Sequence, residues 1–290
     1  MESTRDIKAR IKSVTNIQQI TKAMKMVAAA RLRKAEEKAH GARPYAEKVE
    51  ELLRRASSAA PGYSNPLLAR REVKRTGYLI ICGDKGLAGA YNSNVMKRTV
   101  AEIAGKDRNT YRLYVCGKQA RNYLKFRGYT TDSYHFGFSD KPSADDSIAM
   151  AKELIALFDK GEIDEVKIIY TKFYTALRQQ VTVTQLLPIE APEAEEAAEG
   201  AAAPEEDYIF LPEASAVLDK LLPEYVQVQV YNAMLQSAAS ELGSRMAAMS
   251  AATDNATEKI ADLNLSYNKA RQAQVTNEIS EIVGGANALE

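Results

Sequence analysis

Tryptophan is absent, cysteine and histidine occur twice each, and no run of 18 apolar residues is found in the 290-residue chain. Each absence excludes something. Cys82 and Cys116 stand far apart in the sequence, each beside a strand-like run, so a reducing compartment is read in preference to a disulfide framework. His40 and His135 lie outside metal-ligand spacing of a cysteine or of each other and read as plain surface or core residues. Without a long apolar run nothing spans a membrane. An excess of one charge is missing too: 39 basic residues against 38 acidic ones leave no global field to attract nucleic acid or anionic lipid, although local patches remain open. The opening "MESTRDIKARIK" lacks an apolar signal core, and Glu2 and Asp6 argue against a transit peptide. A soluble, cytoplasmic protein is expected.

What is present falls into sections of different texture. From Ser3 to about Ser58 the chain favours helix. Ser3 or Thr4 can cap the start, Asp6 suits the first turn, and Ile7, Ile11, Val14, Ile17, Ile20, Met24 and Val27 form one apolar stripe. Pro44 bends this helix or ends it. The middle section has strand-like runs, "TGYLIIC", "YRLYVCG", "EVKIIYTKF" and "QQVTVTQLLPI", with helical candidates at Ser93–Ile103, Lys118–Arg127 and Ala144–Phe158 between them. That alternation predicts an α/β domain with a partly parallel sheet. The acidic segment from Glu190 to Asp207 has a composition that buries little and reads as a flexible surface loop.

From Glu224 to Val283 there is no proline and one glycine, Gly243. Val228, Tyr231, Leu235, Ala238, Leu242, Arg245, Met249, Ala252 and Ala256 alternate in steps of three and four. After one extra residue, Ile260, Leu263, Tyr267 and Ala270 resume the pattern. This is a coiled-coil seam with a single shift of register, and the N-terminal helix is its natural partner. The domains expected are 1–60, an N-terminal coiled-coil helix; 76–189, an inserted α/β foot; 190–207, the acidic loop; and 208–290, the C-terminal helix.

Chemistry is sparse. "CGDKGLAGAYNSN" holds Gly83, Gly86 and Gly89 between a strand and a helix, yet it matches neither a phosphate loop nor a dinucleotide fingerprint, and Lys85 precedes the glycine. A tight strand-to-helix loop, with Asn92 or Ser93 as helix cap, is the simpler reading. Asp145 and Asp146 look like first-turn acids. No nucleophile, base and orienting acid are brought together by the sequence, so no active site and no cofactor are expected. Between Ile7 and Ala35, however, Lys8, Arg10, Lys12, Lys22, Lys25, Arg31, Arg33 and Lys34 stand without one acid. A solvated helix normally mixes signs. RNA would want stacking aromatics, which are missing there, and lipid an apolar side rich in Trp, Phe or Leu where this one is rich in Ala, so an acidic protein surface fits best.

"RIKSVTNIQQITKAMKMVAAARLRKA", the glycine loop and "SELGSRMAAMSAATDNATEKIADLNLSYNKARQAQVTNEISEIVGGANAL" together resemble the gamma subunits of bacterial F-type ATP synthases over essentially the whole chain. The resemblance implies a long antiparallel coiled coil of N- and C-terminal helices carrying a Rossmann-like α/β domain. It implies a non-catalytic central stalk for ATP synthesis and proton transport, without cofactor or metal. Partners would be three alpha and three beta subunits, the epsilon subunit and the c-ring; nucleic acid is not among them, and the membrane is reached only through the c-ring. On this likeness Lys22, Met24 and Lys25 match a rotor-contact motif. Asp84, Lys85 and Leu87 would lie near a lower stator contact, and Arg271, Gln272, Thr276 and Glu278 match a polar cluster that meets the beta subunits. Leu289 would sit in an apolar bearing. A peripheral position on the cytoplasmic side of the bacterial membrane is expected. A coiled-coil adaptor with an α/β head is the alternative that the residues alone leave open.

Overall fold

The computed structural model describes residues 3–139, 141–190, 208, 210, 211 and 213–287. Its elements run α1 (Thr4–Ala59), β1 (Thr76–Ile81), α2 (Tyr91–Ile103), β2 (Tyr111–Cys116), α3 (Lys118–Phe126), β3 (Ser133–His135), α4 (Ala144–Asp159), β4 (Glu165–Phe173), β5 (Gln179–Leu187) and α5 (Ala214–Asn287). Two compact units result, Met1–Ala29 with Arg245–Glu290 and Ala30–Ser244.

The larger unit is built on a five-stranded sheet of order β3-β2-β1-β4-β5. All its neighbours are parallel except β4 and β5, which form an antiparallel hairpin. Every residue of the central strand β1 is buried, as expected of a parallel strand covered on both faces. On one face Tyr78, Ile80, Cys82, Leu113 and Val115 pack with Val95 and Met96 of α2 and Leu124 of α3. On the other, Leu79, Ile81, Tyr114 and Val166 pack with Leu154 and Phe158 of α4, Leu53 of α1, and Leu218, Leu222 and Val226 of α5. Ser143 caps α4 reciprocally with Asp146, which explains the first-turn acids there. The cysteines fall on opposite faces, so the backbone bond from Cys82 N–H to the Cys116 carbonyl (2.8 Å) brings the strands together without facing the thiols to each other. Both are free.

The smaller unit is an antiparallel helix pair. Thr4 bonds Gln274, Gln18 bonds Thr257, Thr21 meets Thr253 and Lys25 bonds Ser250, one residue number rising as the other falls. Ser3 caps α1 through the amide of Asp6.

Pro44, where a bend and an end were both open, lies inside α1. Several expectations are corrected. The C-terminal helix starts at Ala214, ten residues before Glu224, and carries Pro223 inside it. Leu218, Leu221, Leu222 and Val226 are buried on both sides of that proline, and this burial offsets the one missing amide bond. Strand β3, three residues long, has no apolar run to announce it. Of the apolar stripe read on α1, only part is buried. Ile7, Ile11, Val14 and Met24 line the seam, but Ile17, Ile20 and Val27 are half exposed or more, and Thr21 is buried where an apolar residue was expected. The register shift in α5 holds: Arg245, Met249, Ala252, Ala256, Ile260, Leu263, Tyr267 and Ala270 are all buried or half-buried. The acidic segment at 191–207 and Leu289 lie outside the described residues.

Candidate partner-contact surfaces

The helix pair turns its polar residues inward and part of its apolar ones outward. Thr21 and Thr253 share a hydroxyl bond of 2.9 Å, Gln18 donates to Thr257 at 2.7 Å, and Lys25 donates to Ser250 at 2.9 Å. Outside stand Ile17, Ile20, Met26 and Val27 of α1, alongside exposed Lys22 and Lys25, while Met24 is half-buried at the edge of the seam. Ile17, Ile20 and Val27 fall within one arc of α1, and exposed apolar side chains grouped in this way are candidates for partner contact. The notable miss from sequence is this outward apolar row.

Farther along the pair, Arg271, Gln272, Thr276 and Glu278 are exposed on α5. Two of them are held by their own helix: Thr276 donates its hydroxyl to the Gln272 carbonyl at 2.9 Å, and the Glu278 carboxylate accepts from the Gln274 amide at 2.9 Å. α1 begins at Thr4, opposite Gln274, so the last turns of α5 run on without α1 among the described residues. Val275, Ile279, Ile282 and Val283 are exposed there. Thr253, opposite Thr21, is 18 residues from Arg271, so the cluster around Lys22 and the cluster around Arg271 stand roughly 27 Å apart. They are two stations on one helix pair, not one site.

The loop after β1 is tied down from inside. The Asp84 carboxylate accepts the amides of Lys118 (3.0 Å), Gly137 (2.8 Å) and Ser139 (3.4 Å), placing its charge at the start of α3 where the helix dipole favours it. Asn92 does not cap α2, contrary to expectation. Its carbonyl accepts the Gly83 amide at 3.0 Å and its amide donates to the Lys85 carbonyl at 3.1 Å. Ser93 donates to the Ala90 carbonyl and caps nothing either. With the Gly83 amide taken and a carboxylate at the mouth of α3, a phosphate group would find a filled and negatively charged loop. Lys85 is exposed, and Leu87, 64% exposed, is held at φ 61°, a left-handed conformation rare for a leucine. Thus Asp84 positions the loop, while Lys85 and Leu87 are its outward face.

The thiols offer no reactive site. Burial pushes the Cys82 thiol up to about 12, and the Cys116 thiol is raised well above its ordinary value for the same reason. His135 is engaged with Glu153 at 2.9 Å, and His40 is exposed. Among the described residues no group of three or more His, Cys, Asp or Glu side chains could hold a metal ion. No helix among them is long and apolar enough to cross a membrane.

The family model described as ATP synthase matches residues 3–289. The ATP synthase gamma chain of Heliobacterium modesticaldum is 48% identical, with all of both chains covered. That of Desulfitobacterium hafniense is 46% identical, again over the full length of both. The chain belongs to the ATP synthase gamma-chain family. Among solved structures, the central stalk and c-ring of the Tetrahymena thermophila mitochondrial ATP synthase contains a similar chain at 26% identity and a TM-score of 0.61, covering 80% of this chain and 99% of that one. A chain of the Euglena gracilis mitochondrial ATP synthase, at 20% identity, shares the fold with a TM-score of 0.68 over 99% of this chain and 94% of its own. As a gamma chain the protein is a central rotor subunit and not the catalyst of its complex. The α/β fold with long terminal helices, read from the sequence, is the fold of these stalks.

Proposed function

We propose that the helix pair works as a cam within a ring of three alpha and three beta subunits, while the α/β unit serves as a foot on the epsilon subunit and the c-ring, on the cytoplasmic side of a bacterial membrane. The division into shaft helices (1–60 and 208–290), foot (76–189) and acidic segment (190–207) then becomes a division of labour. The observation that carries this reading is the exposure of Ile17, Ile20 and Val27 on one flank of α1 and of Lys22, Lys25 and Met26 on another, on a helix pair whose own seam is already closed. Acidic loops of the beta subunits complement the lysines, and the apolar row adds contact that depends on angle.

A shaft shifts a subunit's conformational equilibrium only by the difference in contact energy between the faces it presents. Driving a two-state equilibrium from 1:99 to 99:1 takes roughly 5.5 kcal/mol, more than any single exposed residue supplies. Distributed contact is therefore required, and three stations supply it: Lys22, Met24 and Lys25; Arg271, Gln272, Thr276 and Glu278; and the loop of Asp84, Lys85 and Leu87. Exposed Val275, Ile279, Ile282 and Val283 suit an apolar bearing around the end of α5. Co-expression with alpha and beta subunits of a gamma-chain relative's organism tests the reading. One copy per three alpha and three beta, with ATP hydrolysis dependent on it, is expected; a chain that purifies alone and forms no such complex would overturn it.

A further inference from the structure

Strand β4 is longer than the neighbour that should cover it. Its pairing with β1 runs from Glu165 to Ile169 and stops, whereas its pairing with β5 continues to Phe173. The backbone groups of Thr171 and Phe173 on the β1 side would therefore be orphaned, and buried backbone polar groups must find partners. Helix α5 supplies them with side chains. The Phe173 amide donates to Gln236 Oε1 at 3.0 Å, the Thr171 amide to Ser237 Oγ at 3.5 Å, and Ser240 Oγ donates to the Thr171 carbonyl at 3.2 Å. Two turns on, Ser244 Oγ donates to Gln179 Oε1 at 2.7 Å, and Gln179 in turn holds the Ala176 carbonyl at the tip of the hairpin. Ser237 also bonds the buried Tyr91 of α2.

Gln236, Ser237, Ser240, Gly243 and Ser244 share one face of α5, and this accounts for the lone glycine between Glu224 and Val283. A Cβ at Gly243 would meet Gln179 Nε2 at 2.9 Å and the Ala176 backbone at 3.3 Å. Ser240 is fully buried and Ser237 nearly so, which is unusual for serines that could be alanines if packing alone mattered.

We infer that this side-chain ladder is the joint through which torque passes between the sheet of the α/β unit and helix α5. Apolar packing holds the helix against the sheet but resists its rolling and sliding only weakly, because apolar contact has no preferred direction. Hydrogen bonds to fixed backbone groups weaken steeply with misalignment. Three of them, from Gln236, Ser237 and Ser240, together with the side-chain bond from Ser244 to Gln179, therefore fix both the angle and the height of α5 against the β4–β5 hairpin. The same helix continues from Arg245 into the pair that carries Arg271 and Glu278, so a load on the sheet becomes a turn of that helix.

This inference rests on the rotor reading, whose failure would appear in the unsubstituted complex itself. The test uses the complete membrane-bound synthase in vesicles, carrying Gln236→Leu with Ser240→Ala. ATP hydrolysis is expected to stay within about twofold of the unsubstituted complex, and ATP synthesis driven by an imposed proton gradient to fall at least about fivefold. Should the double variant fail to assemble, Gln236→Leu alone, at a half-buried position, carries the same comparison, with an expected twofold loss of synthesis at unchanged hydrolysis. Synthesis unchanged, or synthesis and hydrolysis falling in parallel, would overturn the inference.

Discussion

Helix α5 lives two lives. Up to Ser244 it is buried nearly all round, with Leu218, Leu222, Val226 and Val230 fully inside and even Ser240 and Glu241 enclosed. From Arg245 onward, among the described residues, only a narrow seam of Arg245, Met249, Ala256 and Leu263 is buried, and Leu265, Val275, Ile279 and Ile282 face outward. The first half uses its residues to hold a fold together. In the second, many apolar residues are left out of the fold and stand exposed. The difference teaches that hydrophobicity along one helix does not by itself report burial: it marks core in the larger unit and, in the smaller, both a seam and an exposed surface.

That contrast can be broken at several strengths. Phe158→Ala, in the core of the larger unit, should cost about 4 kcal/mol and leave little folded chain, as urea unfolding followed by circular dichroism would record. Alkali attacks the same unit. Because the folded-state thiol of Cys82 is raised to about 12 from an ordinary value of 9.0, the unfolded chain loses that proton first. Stability is therefore full below pH 9 and should fall between pH 9 and 12, by about 1.4 kcal/mol per pH unit for a fully expressed shift. Denaturation midpoints across that window, with a smaller fall in Cys82→Ala and the remainder carried by the likewise buried Cys116, check the sign.

The smaller unit should respond more gently. Leu263→Ala, in the seam, is expected to cost about 2 kcal/mol, read from loss of protection of nearby amides in hydrogen exchange. Thr21→Val should cost about 0.5–1 kcal/mol, while Thr21→Val with Thr253→Val should be nearly neutral, because both ends of the shared hydroxyl bond are then removed together. The smallest effect sharpens the comparison most. Ile20→Ser, at a 59% exposed position, should shift stability by less than about 0.5 kcal/mol, yet lower gradient-driven ATP synthesis in the assembled complex. A stability loss above 2 kcal/mol at Ile20 would mean that the outward row belongs to the fold after all.

Much of the fold was legible because its signals are local. The runs around Tyr78, Leu113, Ile168 and Val183 announce strands through their composition, and the single skip after Ala256 is visible in the spacing of apolar residues alone. What was not legible depends on distant partners. Ser133–His135 becomes a strand only because β2 is beside it. Asp84 reads as a loop acid until the amides of Lys118, Gly137 and Ser139 are folded around it. Ile17, Ile20 and Val27 fit the stripe by number, but the seam prefers the residues that reach across to Thr253 and Thr257, and sequence spacing on one helix does not contain that choice. The candidate contact residues came from likeness to the gamma chains, since nothing in the chemistry of Arg271 or Gln272 singles them out.

A strict seven-residue repeat winds two helices round each other to the left, whereas Met249, Ala252, Ala256 and Ile260 span an eleven-residue step, which winds to the right. Over that stretch the extra residue unwinds the left-handed supercoil locally, and the seam stays closed on both sides of it, at Met249 and at Leu263.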